Sequence, residues 1–262
     1  MKGSPELSFV LPAYNEEENI ERAVREADSA CREVCSSHEV IVVDDGSSDE
    51  TPRILGRLET EIGALRVIRV EPNAGYTNAL RTGFLASNMD WVFYTDADNQ
   101  FDPREMARFL AARNEADLVI GFRAARQDGF LRHFLSRGYN RIQKHYLGLR
   151  VTDINCAFKL FRRSFFDVAP IESGGFLVDA EVLIRAQKLG LRMIELPVGH
   201  HPRASGKTTV SWKSIPQTFR EMRRLKRILR SWPPPEVVAS LPSLGIGVDR
   251  PAPALREGNP AR

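Results

Sequence analysis

Cysteine is scarce in this chain of 262 residues: Cys31, Cys35 and Cys156 are all it has. An odd, sparse set without framework spacing excludes a small secreted scaffold stapled by disulfides. Cys31 and Cys35, four apart on a helical pattern, read as small packed thiols. A metal pair would need two further ligands, and none stands nearby in sequence. No apolar run reaches the roughly 18 residues of a membrane-spanning helix. The opening residues lack the apolar core of a signal peptide. There is no internal repeat. Charge of one sign is not in excess either: 37 Lys and Arg face 34 Asp and Glu, a net +3. That balance says little about partners; a nucleic-acid binder resting on the Arg-rich helices would leave the acidic strand ends unexplained. The absences together predict a cytoplasmic chain that folds with reduced thiols and does not cross a membrane.

What is present is alternation. Short runs at 7–11, 40–43, 66–70, 91–94 and 118–120 read as strands, and several are nearly all apolar and β-branched, as strands buried on both faces are. Between them, residues 16–34, 49–61, 74–87 and 103–114 carry helical spacing or a helix-start signal. Asp49 with Pro52, and Asp102 with Pro103, are such signals. Alternating strand and helix predicts an α/β fold, a mostly parallel sheet with helices on both faces. Beyond Gly121 the rhythm changes. Residues 123–147 are basic and helical, 178–189 form another helix, 193–198 a late strand, and 200–207 a polar loop.

Open parallel sheets bind ligands outside the carboxyl ends of their strands. Pro12, Tyr14 and Glu16 follow the first strand. Asp44 and Asp45 follow the second, and Asp96, Asp98 and Gln100 follow the fourth. Acidic and polar groups therefore gather at one sheet edge. Two carboxylates two residues apart repel unless a cation lies between them, and oxygen-only ligands select Mg²⁺ or Mn²⁺. The plainer reading of Asp96-Ala97-Asp98 is a solvated acidic turn; its place after an apolar strand favours the metal. Asp44-Asp45 reads either as a turn before a helix cap or as a carboxylate acceptor for a nucleobase or ribose.

The segments PAYNEEENI, VVDDGSSDET, NAGYTNALRTGF and DADNQFDP, in this order and spacing, resemble glycosyltransferase family 2. The later segments VIGFR, RHFLSRGYNR, DINCAFKLFRR, GGFLVDAE and HHPRASGKT are similar to its dolichyl- and polyprenyl-phosphate mannosyl- and glucosyltransferase branch. The resemblance spans roughly residues 7–230. Two departures are Ala157, where many relatives have Gly, and Thr208-Thr209 in place of the frequent Ser-Lys.

The resemblance implies a nucleotide-diphospho-sugar transferase fold of the GT-A type and an inverting transfer of mannose or glucose. The donor implied is of the GDP-mannose or UDP-glucose type, and the acceptor a lipid phosphate. It assigns Pro12, Tyr14, Glu16, Asp44, Asp45 and Asp96 to the nucleotide. Asp96, Asp98 and Gln100 match the metal and diphosphate motif. Arg123 and Arg132 match residues that face phosphate, and Asp179, with Glu181, an acidic pair near the acceptor. His200 and Arg203 match a late motif that closes over the donor phosphates. Asp98, Asp179 and Arg203 are the catalytic candidates. A lipid phosphate, with its second pKa near about 6, needs cations rather than a strong base; a hydroxyl acceptor would need one, with Asp179 first in line. A saccharide acceptor and a non-catalytic nucleotide-sugar-binding module are the alternatives. A sugar-nucleotide pyrophosphorylase would want a Gly-rich phosphate loop after the first strand, and PAYNEEENI is acidic instead.

The organisation expected is a transferase domain over 1–218, a basic amphipathic helix over 219–232, and a Pro-rich tail without fixed structure over 233–262. Apolar residues at 219, 222, 225, 228, 229 and 232 give that helix one face to bury, in an anionic membrane surface or on the domain. The first outcome would make the protein peripheral on the cytoplasmic face of a membrane.

Overall fold

Each apolar run of the first half becomes a strand. The computed structural model describes residues 3–124, 130–174, 177–202 and 215–246. Strands β1 (Glu6–Ala13), β2 (Ser37–Asp44), β3 (Leu65–Arg69) and β4 (Trp91–Thr95) are all parallel. β1, β2 and β4 are buried along most of their length, while β3, at the sheet edge, is only partly covered. β1 lies between β2 and β4, and every residue from Leu7 to Ala13 is buried. β5 (Leu118–Arg123) and β7 (Met193–Val198) pair in parallel, while β6 (Phe158–Arg162) runs antiparallel between β4 and β5. The sheet order is β3-β2-β1-β4-β6-β5-β7. The expected α/β class, a GT-A sheet that is mostly parallel, is what forms. β6 is the strand that the apolar runs did not reveal, because Lys159 interrupts it.

Helices α1 (Ile20–Val34), α2 (Thr51–Glu61), α3 (Tyr76–Ala86) and α4 (Met106–Ala112) follow β1 to β4 in turn. Then come α5 (Phe130–Leu147), α6 (Phe165–Val168), α7 (Val178–Lys188), α8 (Ile215–Ile228) and α9 (Pro235–Ser240). Helix α3 sits against β1 closely enough that a Cβ on Gly83 would lie 2.4 Å from Val10 Cγ1. Only glycine allows that approach. Phe84, Tyr94, Phe161 and Phe166 then meet between helix and sheet, with Phe84 and Phe166 stacked at 4.5 Å. The expected helix starts form as read. Asp102 accepts from the Arg104 backbone N–H at 2.9 Å, and Asp49 from that of Thr51 at 2.9 Å.

Two organisational expectations change. Helix α8 begins at Ile215, so it crosses the expected boundary at 218/219. Its residues Met222 and Leu225, with Leu229 just beyond, are at most 4% exposed and pack on the domain. The chain from residue 233 was expected to lack fixed structure. Instead Pro235–Ser240 is helical, Leu241 and Ile246 are fully buried, and the Leu244 carbonyl accepts from Ser164 Oγ at 3.0 Å. The physical reason is that Leu241 and Ile246 find core to enter. Proline abundance hid these few apolar side chains. Residues 247–262 lie outside the described residues.

Candidate active site

The strand order reverses between β1 and β4, and a crevice opens beyond their carboxyl ends. Ala13 pairs with Asp44, so the segments after β1 and β2 leave the sheet side by side and are sewn together. The Asn15 N–H donates to Ser47 Oγ at 2.9 Å, and the Ser48 N–H to Asn15 Oδ1 at 2.8 Å. The Glu16 N–H donates to Thr51 Oγ1 at 2.9 Å. Asn15 adopts φ +53° and Asn99, beyond β4, φ +58°. Asparagine tolerates this left-handed geometry better than most side chains. Of the residues expected to frame a nucleotide, Pro12 is buried within β1 and Glu16 accepts from Asn19 Nδ2 at 2.7 Å. Tyr14 presents an exposed ring.

The two acids after β2 differ. Both Asp45 oxygens accept backbone N–H groups, from Ala74 at 2.9 Å and Gly75 at 2.8 Å. Asp45 therefore holds the start of α3 in place. Gly46 completes the turn at φ +73°, where a Cβ would meet the Asn73 nitrogen at 2.9 Å. Asp44 gives Oδ1 to the Ser47 N–H at 3.0 Å. Its buried Oδ2 accepts no hydrogen bond and lies 3.6 Å from the Arg69 guanidinium. An oxygen held so, at a sheet edge, is a ready acceptor for a base or ribose donor.

Beyond β4, Asp96 accepts from the Tyr76 hydroxyl at 2.9 Å, and Asp98 Oδ1 from the Gln100 N–H at 3.2 Å. Burial first, and then the charge of Asp98, push the Asp96 carboxyl up to about 7. Burial and the neighbouring carboxylates Asp96 and Asp179 also push the Tyr76 hydroxyl well up, so it acts as a donor. Crowded acids of this kind fit a divalent cation, which removes their repulsion. Among the described residues no cluster of three or more His, Cys, Asp or Glu forms. A cation here would rest on Asp96 and Asp98, with substrate phosphates and water completing its shell, a common Mg²⁺ arrangement. Gln100 turns its Nε2 to the His201 carbonyl at 3.0 Å, and the His201 N–H returns a bond to the Gln100 carbonyl at 2.8 Å. Gln100 thereby ties the loop after β4 to the late His segment.

The remaining candidates are distributed unevenly. His200 is buried edge-on against Phe101, with ring centroids 5.2 Å apart. Arg203 lies outside the described residues. Arg132 lies near the start of α5, its side chain outside them. Arg123 is held in a two-pronged bond by Asp153, at 2.7 and 2.9 Å, rather than standing as a solitary cation. Asp179, at the start of α7, accepts on Oδ1 from Lys159 Nζ at 2.6 Å and from the Tyr94 hydroxyl. Its intended companion Glu181 faces away, fully buried against Arg185 and the Glu172 and Ser173 N–H groups.

Lys159 escaped the sequence reading. It is fully buried, and Nζ also reaches the Tyr94 hydroxyl and the Ile154 and Cys156 carbonyls at 2.6–3.1 Å. A buried ammonium persists only when paired and bonded in this way. The available signal was a lysine inside the aromatic run of FKLFR. Tyr76 and Tyr94 carried no signal, since tyrosine suits both helix faces and strands.

A seven-stranded sheet of this order with an acidic crevice at the β1–β4 reversal defines a GT-A type fold. The profile of Glycosyl transferase family 2 matches residues 8–168, and the chain belongs to that family. It is 32% identical over 213 residues to the undecaprenyl-phosphate 4-deoxy-4-formamido-L-arabinose transferase of Enterobacter sp. (strain 638), covering 80% of this chain and 64% of that protein. It is 33% identical over 212 residues to glycosyltransferase AglD of Haloferax volcanii, covering 77% of this chain and 34% of that one. The chain thus spans less than two thirds of either relative. Among solved structures, glucosyl-3-phosphoglycerate synthase from Mycobacterium tuberculosis with Mg²⁺ and UDP superposes with a TM-score of 0.63 at 21% identity, covering 93% of this chain and 80% of that one. S. aureus TarS with UDP-GlcNAc superposes with a TM-score of 0.61 at 19% identity, covering 86% of this chain and 67% of that one. These two likenesses bear on fold alone.

Proposed function

We propose that this chain is a metal-dependent, inverting glycosyltransferase that moves a hexose, glucose or mannose, from a nucleotide-diphosphate sugar to a polyprenyl phosphate. The observation that carries the reading is the crowded Asp96–Asp98 pair at the strand-order reversal, with Asp44, whose buried Oδ2 accepts no hydrogen bond, at the end of β2. Asp44 accepts from the base or ribose, and the exposed Tyr14 ring flanks it. Asp96 and Asp98 hold Mg²⁺ or Mn²⁺, which, when bound, offsets the charge developing on the departing diphosphate. Arg203 and His200 supply further donors to that diphosphate.

The acceptor reading draws on the undecaprenyl-phosphate relatives and on Asp179. With Oδ1 spent on Lys159 and Tyr94, Asp179 is better placed to orient than to take a proton. A phosphate acceptor is already ionised near neutral pH and needs only orientation and nearby cations, for which Arg123 and Arg132 are proposed. The relatives named for 4-deoxy-4-formamido-L-arabinose transfer make a nucleotide-linked form of that pentose the second donor to try. The test is transfer from labelled UDP-glucose, GDP-mannose or that pentose to a short-chain polyprenyl phosphate, with Mn²⁺ or with chelator. Metal-dependent label in the organic phase supports the proposal. Label appearing only on a soluble saccharide moves it to a hydroxyl acceptor. No transfer with any donor removes it.

A further inference from the structure

Positive charge is concentrated on two helices. α5 and α8 together carry nine Lys and Arg against one acid, Glu221, which leaves the rest of the chain net acidic. The apolar face of α8 is spent inside the domain through Met222, Leu225 and Leu229, so insertion of that face into a bilayer is excluded. What α8 presents to water is its basic face, with Arg220, Arg223, Arg224, Lys226 and Arg227 exposed and Arg230 following. Residues 219, 223, 226 and 230 fall on one stripe by helical spacing. Arg224 lies 3.8 Å from Glu221. Among the described residues, Arg223, Lys226, Arg227 and Arg230 have no carboxylate partner. These four converge with Tyr146 of α5 around a cavity of about 290 Å³. Lys226 is set over the Tyr146 ring at 4.4 Å and bonded to its carbonyl at 3.0 Å. Two large apolar side chains on the same helices, Phe219 at 40% and Ile142 at 47%, stand in solvent.

We propose that the basic face of α8, with the cavity it shares with α5, docks the protein on an anionic lipid surface, the cavity taking a headgroup phosphate. Four unneutralised cations around one concavity repel each other, and a phosphate relieves that cost. The row of further arginines beside it matches repeated headgroups better than a single free anion. Phe219 and Ile142 match the apolar boundary below the headgroups, which a nucleic-acid backbone does not offer. Attachment is thus electrostatic, with each Lys or Arg near the surface contributing roughly fivefold in partitioning at low salt. The purpose of such docking rests on the polyprenyl-phosphate reading, since that acceptor resides in membranes; the binding itself does not.

The test is sedimentation of the full chain with vesicles of phosphatidylcholine, alone or mixed with phosphatidylglycerol. Binding is expected to the mixed vesicles only, and to fade at high salt. The triple variant Arg223→Gln, Arg227→Gln, Arg230→Gln should lose roughly a hundredfold in partitioning, while keeping its melting temperature and its UDP binding. The charge-reversed triple variant to Glu should lose more. Equal binding to neutral vesicles, or unchanged binding by both variants, overturns the proposal. Release from vesicles by millimolar inorganic phosphate overturns surface docking in favour of a single-phosphate pocket. Duplex DNA binding as tight as vesicle binding at the same salt also overturns it. Vesicle binding needs no donor sugar, so failure of the transferase reading leaves this result standing. Conversely, transfer to detergent-dispersed polyprenyl phosphate should survive in both variants.

Discussion

Two strands of this sheet end in pairs of acids, and the pairs are put to different uses. After β2, Asp45 spends both oxygens on backbone N–H groups of the next loop, and Asp44 spends one on its own turn. After β4, Asp96 and Asp98 are pressed together, and the Asp96 carboxyl is pushed up to about 7 by burial and by its neighbour. A carboxylate saturated with N–H donors is architecture. A carboxylate crowded by another carries a repulsion that a bound cation would remove, which is the basis of the proposed metal role. Asp179 is a third case, a carboxylate neutralised by the buried ammonium of Lys159.

The contrast is open to attack at each acid. The largest effect is expected for Asp98→Ala. Turnover should fall by roughly a thousandfold or more, since metal stabilisation of a leaving group amounts to several kcal/mol. The melting temperature should hold; near-normal activity would remove Asp98 from the cation site. Next is Lys159→Met, which strands Asp179 in the interior. Breaking a buried pair costs about 3–5 kcal/mol, read by denaturant unfolding. Adding Asp179→Asn should restore a good part of that stability, and a double variant no more stable than the single one would show that the two do not act as a pair. Asp45→Ala should come third, with a loss of about 2–3 kcal/mol from two bonds to a charged acceptor and a lower Tm. Asp44→Asn should instead weaken UDP binding with little change in Tm. If the two variants exchanged these phenotypes, the division between architecture and site after β2 would collapse.

The smallest effect is a pH dependence. Burial and the charge of Asp98 push the Asp96 carboxyl up to about 7, so a cation resting on it would displace a proton below that pH. Mn²⁺ affinity should therefore rise with pH until about 7 and level off above it. Calorimetry in buffers of different ionisation heat should find a fraction of a proton released below pH 7 and almost none at pH 8.5. Asp96→Asn should release none from this site at either pH. Release independent of pH would show that Asp96 does not meet the cation.

Much of the first half was legible because its physics is local. A strand covered on both faces must be apolar along its whole length, so β1, β2 and β4 stand out as runs. Loops that leave such a sheet at its carboxyl edge directly follow those runs, so the candidates Asp44, Asp96 and Asp98 are placed at that edge by position alone. The second half is governed by contacts distant in sequence. β6 was hidden by Lys159, whose partner Asp179 is 20 residues away. Glu181 looked like a companion to Asp179, yet a helix turns residues two apart to different sides, and Glu181 went to Arg185. The Pro-rich segment after 233 was expected to be without structure because composition counts residues and not the cavities that Leu241 and Ile246 enter.

The sequence by itself determined the α/β alternation, the acidic edge, the family and the basic character of α8, because periodicity, strand-end position and charge are properties of neighbouring residues. Only the tertiary structure decided which acid is spent and which is open, where Lys159 finds its counter-charge, and which face of α8 meets water. Those outcomes depend on which groups burial brings within bonding distance, and distance in space is not written in the order of the chain.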